Sequence, residues 1–395
     1  MDYDVIVVGL GGMGVASADA LAGRGLRVLG MDQFDIGHLR GASHGRSRIV
    51  RMAYFESPDY IPLLRRAYAL WDTLPPACRL HRVGLLTLGS DDSAVVAGAT
   101  RSAAACQVPV ELLSGGGVKD RFPQFAPGPT DVGVFEPDAG FVRPEETVAF
   151  LAGRARDRGA DLVRERVVGW ELTGDGVRVW TADGTRTAGC LVLAAGSWTP
   201  VLAASLALPI RIERRVQHFF APTGDPAGYG PEAMPTFLWD IAPGDAIYGF
   251  PADGADGVKL GFHHRGRTID PDQEQPPASA DEVREMESVL ADRLPGVAGH
   301  LRSVPCLYDL TPDHNFVLGI VPGLESRVVV AAGFSGHGFK FVPVVGEVVA
   351  DLVTTGGTAY DLELPLPQPL HSSRLNLLRA FHCCPACRGL SGQVE

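Results

Sequence analysis

The alternation of apolar and polar positions divides the chain into short strands and amphipathic helices. Near its start, "YDVIVV" is a continuous apolar run, as a strand buried on both faces requires. Helical spacing follows in "MGVASADALAGRG", and "LRVLGMD" predicts a second strand. This β-α-β order predicts a doubly wound α/β domain with a parallel sheet.

Residues 209–270 have a different pattern, in which short apolar runs alternate with glycine, proline and aspartate turns. These runs predict the strands of a mostly antiparallel sheet. Farther along, "RVVVAAGFSGHGFKFVPVVGEVVADLV" combines a strand, a Gly-rich loop and a helix, which indicates a return to the first domain. We therefore expect a Rossmann-like α/β domain and a second, mostly antiparallel α+β domain. The chain is expected to cross between them more than once.

Composition excludes several classes of protein. A chain of 395 residues with 46% hydrophobic content can bury the cores of two domains without disulfides. The net charge of −11, with no basic block, argues against a nucleic-acid partner. The 7 scattered cysteines do not form a secreted disulfide framework. With no signal peptide and no apolar run of about 18 residues, we expect a cytoplasmic protein without a membrane partner.

The first glycine loop predicts a dinucleotide site. Gly9, Gly11 and Gly14 fit the G-x-G-x-x-G pattern between a strand and a helix, where backbone can approach a pyrophosphate closely. Asp32 closes the second strand at the spacing of a residue that binds a ribose hydroxyl. An ordinary Gly-rich turn is the alternative, and the loop does not separate NAD from FAD. The second glycine element, "AAGFSGHGFK", favours FAD because a helix start there can stabilise negative charge on a reduced flavin.

Five motifs, taken together, point to one family. The stretches "VIVVGLGGMG", "SHGRSRIVRMAY", "YGFPADGADGVKLGFHH", "VPCLYD" and "AAGFSGHGFKF" resemble the family of monomeric sarcosine oxidase and N-methyltryptophan oxidase. The resemblance covers residues 1 to about 362. It implies a monomeric enzyme with FAD that oxidises N-methyl amino acids to imines and reduces O2 to hydrogen peroxide.

The resemblance also implies a division of the chain into functional domains. The segments are an FAD-binding domain at 1–82, 148–208 and 312–362, a substrate domain at 83–147 and 209–311, and a C-terminal tail at 363–395.

Four residues carry the chemistry that the resemblance implies. Cys306, which by itself reads as a small buried hydrophobe, corresponds to the cysteine that forms a thioether with the flavin 8α-methyl carbon. Arg51 and Lys340 correspond to two anchors of the substrate carboxylate, and a bidentate guanidinium suits that task. Lys259 reads as an exposed residue of a strand face, but by resemblance it lies near flavin N5 and promotes oxygen reduction.

Further residues are implied around these four. Arg48 would lie close to the flavin ring. For Arg48 and Arg51 alike, a position on the protein surface is the alternative. His263 shares a strand face with Lys259 because side chains alternate with period two. Tyr248 and Tyr308 would supply polar groups of the cavity wall. The remaining cofactor neighbours are Ser43, His44, Gly336, His337 and Gly338, with Lys340 beside them; an exposed loop histidine is the alternative for His337.

Some features leave the substrate and the partner open. Arg46 and Ser47 stand where the family often has an acidic residue and a threonine, and Pro305 precedes the cysteine. Sarcosine, a bulkier N-methyl amino acid, and a cyclic imino acid such as proline or pipecolate all fit. A dehydrogenase that passes electrons to a partner and a non-catalytic nucleotide-binding protein are the alternatives to an oxidase.

A second cysteine cluster lies near the end of the chain. "FHCCPACRG" contains His382, Cys383, Cys384 and Cys387, but their spacing matches no structural zinc signature. We predict no metal site and a loosely attached tail with free thiols.

Overall fold

The computed structural model describes residues 1–362, so the predicted tail and its cysteine cluster lie outside the described residues. The chain forms two compact units. The first comprises Met1–Ser43, Glu145–Arg211 and the chain from Asp309 onward, and the second comprises His44–Pro144 and Ile212–Tyr308.

The prediction that the chain crosses between domains more than once is confirmed. The predicted boundary after residue 82 differs from the observed division after Ser43. Residues 44–82 belong to the second unit because their strand Arg48–Val50 pairs with Gly140–Val142 of that unit. The assignment of the units as FAD-binding and substrate domains stays a prediction.

The strands are numbered in chain order along the described residues. They are β1 (Tyr3–Val8), β2 (Val28–Asp32), β3 (Arg48–Val50), β4 (Leu85–Ser90), β5 (Glu111–Ser114), β6 (Asp131–Glu136), β7 (Gly140–Val142), β8 (Asp161–Arg164), β9 (Val167–Leu172), β10 (Val177–Thr181), β11 (Gly184–Leu193), β12 (Arg211–Pro222), β13 (Thr236–Ala242), β14 (Asp245–Phe250), β15 (Val258–Phe262), β16 (Arg267–Thr268), β17 (Val297–Leu310), β18 (Val317–Ile320) and β19 (Val328–Ala332).

The helices are numbered in the same way. The α-helices are α1 (Gly12–Gly23), α2 (Ile61–Asp72), α3 (Ala94–Cys106), α4 (Gly115–Arg121), α5 (Pro144–Asp157), α6 (Thr199–Leu202), α7 (Ala280–Arg293) and α8 (Val342–Thr355). Short 3-10 helices cover Pro58–Tyr60, Gly196–Trp198, Ala204–Leu206, Pro226–Tyr229, Gly254–Asp256 and Phe339–Phe341. Among the described helices, none is both long and apolar enough to cross a membrane.

The first unit has the predicted Rossmann-like architecture. Its sheet has the order β18-β19-β11-β1-β2-β8, with parallel pairing from β19 to β8, and β9 and β10 extend it from β11. Helices α1 and α8 pack closely, since a Cβ on Gly346 would lie 2.5 Å from the carbonyl oxygen of Ala16. The central strand β1 is buried, as its continuous apolar run predicted.

The second unit is built on the predicted, mostly antiparallel sheet. Its order is β16-β12-β15-β14-β13-β4-β6-β5, with β17 paired to β12 and one parallel pair, β4–β13. One face packs a core that includes Phe237, Leu260 and Met286 of α7. The opposite face carries Lys259 across from Phe219 and Phe250, and Tyr248 across from Gly261. The polar positions therefore gather on one face of the sheet.

The segment "SVPCLYD" belongs to a strand that the pattern did not predict. It lies in β17, where Pro305 interrupts the alternation that would have indicated a strand. Among the described strands β17 pairs with β12 alone, so it lies at an edge of the sheet, which is where proline occurs in strands.

Candidate active site

The first glycine loop fits a pyrophosphate. Gly9 has φ +93°, and a Cβ there would lie 2.4 Å from the carbonyl oxygen of Ala194. A Cβ on Gly14 would lie 1.7 Å from the carbonyl oxygen of Gly9, so the fold requires glycine at both positions. A Cβ on Gly11 would meet only Ser43 Oγ, at 3.4 Å. Space for a ligand therefore remains at Gly11, directly before the N–H groups of α1.

Asp32 and Ser43 fix this loop. The backbone N–H of Leu10 donates to Asp32 Oδ2 at 2.7 Å, and that of Phe34 donates to Oδ1 at 2.9 Å. Ser43 Oγ accepts from the N–H of Gly12 at 2.9 Å, at the start of α1. Asp32 therefore shapes the loop, and its contact with a ribose hydroxyl stays a prediction.

The second glycine element is held by a buried carboxylate that the sequence pattern did not indicate. Asp309 Oδ2 accepts from the N–H of Gly333 at 2.8 Å, and its carbonyl oxygen accepts from Ser335 at 3.0 Å. Burial raises the pKa of Asp309 to about 6. The available signal was an acidic residue near the end of an apolar run, next to Tyr308. Gly333 and Gly336 have φ of +65° and +78°, which explains why glycine stands there.

The rest of this element is also buried. His337 is 6% exposed, and its Nε2 lies 3.0 Å from the carbonyl oxygen of His314, which excludes an exposed loop histidine. Lys340 is 4% exposed and donates to the carbonyl oxygen of His337 at 2.7 Å. A Cβ on Gly338 would lie 2.5 Å from Phe334, so glycine is required there.

The two glycine elements meet within the first unit. A Cβ on Gly12 would lie 2.9 Å from the ring of Phe339. Most of the chain separates these residues in sequence, so the pattern alone did not show that they are neighbours.

In the second unit, the structure brings Arg48 and Cys306 together. Cys306 is 3% exposed, and Arg48 Nη2 lies 3.7 Å from its Sγ. Arg48 Nη1 donates to the carbonyl oxygen of Ser47 at 2.8 Å. His44 is fully buried at the start of the same segment.

Lys259 is buried, so it is not the exposed residue of a strand face that the pattern alone indicated. It is 2% exposed, and its Nζ lies 4.6 Å from the centroid of the Phe250 ring. The Nζ donates to the carbonyl oxygens of Gly45 and Ser47, both at 2.7 Å. Its predicted place near flavin N5 stays a prediction.

Tyr248, His263 and Tyr308 form a ring cluster in the same unit. The His263 ring lies 6.4 Å from that of Tyr248 and 6.1 Å from that of Tyr308. Burial raises the pKa of Tyr308 to about 12 and the pKa of Tyr248 well above its usual value. Both phenols are therefore protonated near neutral pH and can donate hydrogen bonds.

Arg51 already holds a carboxylate. Its Nη2 lies 2.7 and 2.6 Å from the two carboxylate oxygens of Glu56, and its Nη1 donates to the carbonyl oxygen of Ala53. The rings of Tyr54 and Phe55 lie 4.4 and 4.5 Å from the guanidinium carbon. Arg51 is 4% exposed, so it is not a surface arginine. The sequence pattern did not indicate Glu56.

Glu136 holds the backbone that follows Arg51. Its two carboxylate oxygens accept from the N–H groups of Met52 and Ala53 at 2.8 and 2.9 Å. The hydroxyl of Tyr68 lies 3.3 Å from Oε1. Burial raises the pKa of Glu136. This residue was also not foreseen, although an acidic residue ending an apolar strand was a usable signal.

Within residues 1–362, no group of three or more histidine, cysteine or acidic side chains is placed so that it could hold a metal ion.

Known proteins are similar to this chain in both sequence and fold. The model of the family described as FAD dependent oxidoreductase matches residues 4–352. The chain is 43% identical over 375 residues to the monomeric sarcosine oxidase of Streptomyces avermitilis, covering 93% of this chain and 98% of that protein. It is 35% identical over 368 residues to the N-methyl-L-tryptophan oxidase of Salmonella enteritidis PT4, covering 92% and 97%.

Among solved structures, the open form of NikD, an unusual amino acid oxidase essential for nikkomycin biosynthesis, has a TM-score of 0.80 at 29% identity. That match covers 91% of this chain and 96% of NikD. The chain belongs to the family of FAD dependent oxidoreductases, and the resemblance seen in its motifs is confirmed. FAD is therefore the cofactor, and its binding at the loop Gly9–Gly14 stays a prediction.

Proposed function

We propose that this enzyme oxidises N-methyl amino acids such as sarcosine to imines, with O2 as the electron acceptor. The observation that carries the proposal is the Arg51 guanidinium, which binds both oxygens of a carboxylate in a chain 43% identical to a monomeric sarcosine oxidase. A single guanidinium nitrogen reaches both oxygens of Glu56, and the carboxylate of an amino acid substrate would accept the same charge-assisted hydrogen bonds from Arg51.

Substrate binding would exchange one carboxylate for another. The substrate carboxylate replaces Glu56 on Arg51, and Lys340 supplies a second cation to it. Two anchors on one carboxylate would fix the amine and its methyl group in a single orientation. The Tyr308 hydroxyl, which accepts from that of Tyr248, would donate to a polar atom of the substrate.

When bound, FAD would accept a hydride equivalent from the C–H bond beside the amine nitrogen, which leaves an imine after loss of the N–H proton, and would pass the two electrons to O2, which takes up two protons to form hydrogen peroxide. Lys259 would favour this second step by stabilising negative charge that develops on oxygen. Cys306 would attach the cofactor covalently: a bond from Sγ to the flavin 8α carbon would replace the S–H bond and one C–H bond, and the two electrons released would reduce the flavin, which O2 would reoxidise. The monomeric state and the cytoplasmic location stay predictions.

Steady-state kinetics of peroxide release test the proposed role of Arg51. The panel is sarcosine, bulkier N-methyl amino acids, proline and pipecolate. Arg51→Lys removes the planar fork, so KM should rise about tenfold or more. Glu56→Gln weakens the internal competitor, so KM should fall while kcat changes little. An unchanged KM in Arg51→Lys, or no turnover of any N-methyl amino acid, would contradict the proposal.

Acid precipitation tests the attachment. The wild-type pellet should be yellow, Cys306→Ala should release its flavin into the supernatant, and Cys190→Ala, at another buried thiol, should not. A colourless wild-type pellet would remove the covalent link and leave the oxidase proposal standing.

A further inference from the structure

The residues Gly45–Ser47 form a strained turn, here called the Arg46 turn. The N–H of Ser47 donates to the carbonyl oxygen of Gly45 at 2.9 Å, which closes a three-residue γ-turn around Arg46. Gly45 has φ +94° and Arg46 has φ +71°. A γ-turn with positive φ at a residue that carries a Cβ is rare and strained, so surrounding groups must hold it.

Lys259 binds both ends of the Arg46 turn. Its Nζ donates to the carbonyl oxygens of Gly45 and Ser47 at 2.7 Å each, and Ser47 Oγ lies at 3.3 Å. Gln217 lies against the turn, since a Cβ on Gly45 would come within 2.0 Å of its Oε1.

The side chain of Arg46 is held separately from its backbone. Its Nε donates to Asp256 Oδ2 at 2.8 Å, and Arg302 binds the other oxygen of Asp256 at 2.8 Å. The ion pair fixes the side chain, whereas the contacts of Lys259 fix the carbonyl groups of the turn.

The Arg46 turn leads directly to Arg48. The carbonyl oxygen of Ser47 accepts from Lys259 and, at 2.8 Å, from Arg48 Nη1. The other terminal nitrogen of Arg48 lies 3.7 Å from Cys306 Sγ. The orientation of one shared carbonyl group therefore links Lys259 to the placement of the Arg48 guanidinium beside Cys306.

We propose that Lys259 is a positioning residue, which holds the strained Arg46 turn and thereby sets Arg48. This role is additional to any effect of Lys259 on oxygen. The positioning role depends on the proposed function only where its test measures the rate of flavin reduction by the substrate. Arg46 makes the turn dependent on Lys259, because a residue without a Cβ would adopt the same backbone without strain.

Double variants at positions 46 and 259 test the proposal. Lys259→Met should lower the unfolding temperature and slow anaerobic flavin reduction by sarcosine about tenfold, because Arg48 is misplaced. Adding Arg46→Gly should restore both, since glycine relieves the strain. Adding Arg46→Ala should restore neither, because alanine keeps the Cβ and loses the same ion pair. The single variant Arg46→Ala measures the loss of that ion pair, and the single variant Arg46→Gly measures the same loss together with the removal of the Cβ.

The oxidative half-reaction separates the two roles of Lys259. Reoxidation of the reduced flavin by O2 should stay slow in Lys259→Met with Arg46→Gly, because glycine restores the turn but not the amino group. If Lys259→Met yields no soluble protein, its recovery by Arg46→Gly but not by Arg46→Ala supports the proposal. Equal rescue by both, or a Lys259→Met protein with wild-type unfolding temperature and reduction rate, overturns it. If neither sarcosine nor any other N-methyl amino acid reduces the wild-type flavin, the proposed function fails while the unfolding temperatures still decide the positioning role.

Discussion

The loop Gly9–Gly14 and the Arg46 turn solve the same problem in different ways. Both place backbone at positive φ, with +93° at Gly9 and +71° at Arg46. The loop has glycine at each crowded position, so its positive φ adds no strain from a Cβ, and Asp32 and Ser43 then bind its backbone. The Arg46 turn carries a side chain at its strained position and depends on Lys259, which is far away in sequence.

This contrast predicts which substitution disrupts each backbone segment. A loop shaped by glycines fails when a Cβ is added. A turn shaped by a distant side chain fails when that side chain is removed, and it can be repaired by adding a glycine. The following variants test the contrast, from the largest expected effect to the smallest.

The largest effect is expected at Gly14. Gly14→Ala would place a Cβ 1.7 Å from the backbone oxygen of Gly9, so the unfolding free energy should fall by about 4 kcal/mol or more and FAD binding should be lost. Gly11→Ala is the matched control. Its Cβ meets only Ser43 Oγ, so the chain should fold but bind FAD more weakly. Thermal unfolding and flavin content measure both, and equal stability of the two variants would break the comparison.

A smaller effect is expected at Gly45. Gly45→Ala combines φ +94° with a contact of 2.0 Å to Gln217 Oε1, so it should destabilise the protein by about 3 kcal/mol. Gln217→Ala removes the side chain that the new Cβ would contact. In that background Gly45→Ala should cost only the conformational term, about 1 kcal/mol relative to Gln217→Ala alone. Urea unfolding measures these differences. A Gly45→Ala protein as stable as the wild type would show that neither the positive φ nor the contact with Gln217 restricts the residue at position 45.

The buried carboxylate of Asp309 should make stability depend on pH. Its pKa of about 6 lies above the ordinary value of 3.8, so the folded protein binds this proton more tightly than the unfolded chain does. Stability from this group is therefore present at low pH and is lost as pH rises through about 6. Asp309→Asn keeps an acceptor for the N–H of Gly333. Between pH 4.5 and 7.5 it should gain on the order of 2 kcal/mol relative to wild type. A pH-independent difference in urea unfolding would contradict this expectation.

The smallest effect is expected at Glu136. Glu136→Gln exchanges one acceptor oxygen for an NH2 group, so one of the N–H groups of Met52 and Ala53 loses its partner. The loss should be about 1–2 kcal/mol of stability. KM for sarcosine should rise because Arg51 is less well fixed, whereas the rate of flavin reoxidation by O2 should not change. A variant with unchanged KM would show that this carboxylate supports the fold alone.

The sequence pattern was sufficient for features that depend on local spacing. The β-α-β unit and the Gly9–Gly14 loop follow from alternation and from glycine positions. Cys306 was found through its motif, but its strand was missed because Pro305 interrupts the pattern.

The contacts that join distant segments could not be predicted from spacing. Asp309 binds Gly333, Glu136 binds the backbone after Arg51, and Lys259 binds the Arg46 turn. In each case a buried side chain and a backbone group elsewhere in the chain share a hydrogen bond, which the carboxylates of Asp309 and Glu136 accept and Lys259 donates, so only the tertiary fold shows it. Glu56 is close to Arg51 in sequence, but its pairing depends on how the segment bends.

Anaerobic mixing of the purified enzyme with sarcosine tests the central claim most directly. The visible absorbance of the flavin should bleach, at a rate that falls strongly in Arg51→Met. Admission of O2 should then restore the colour with one hydrogen peroxide per flavin. Absorbance that stays unchanged with sarcosine and with every other N-methyl amino acid would contradict the account.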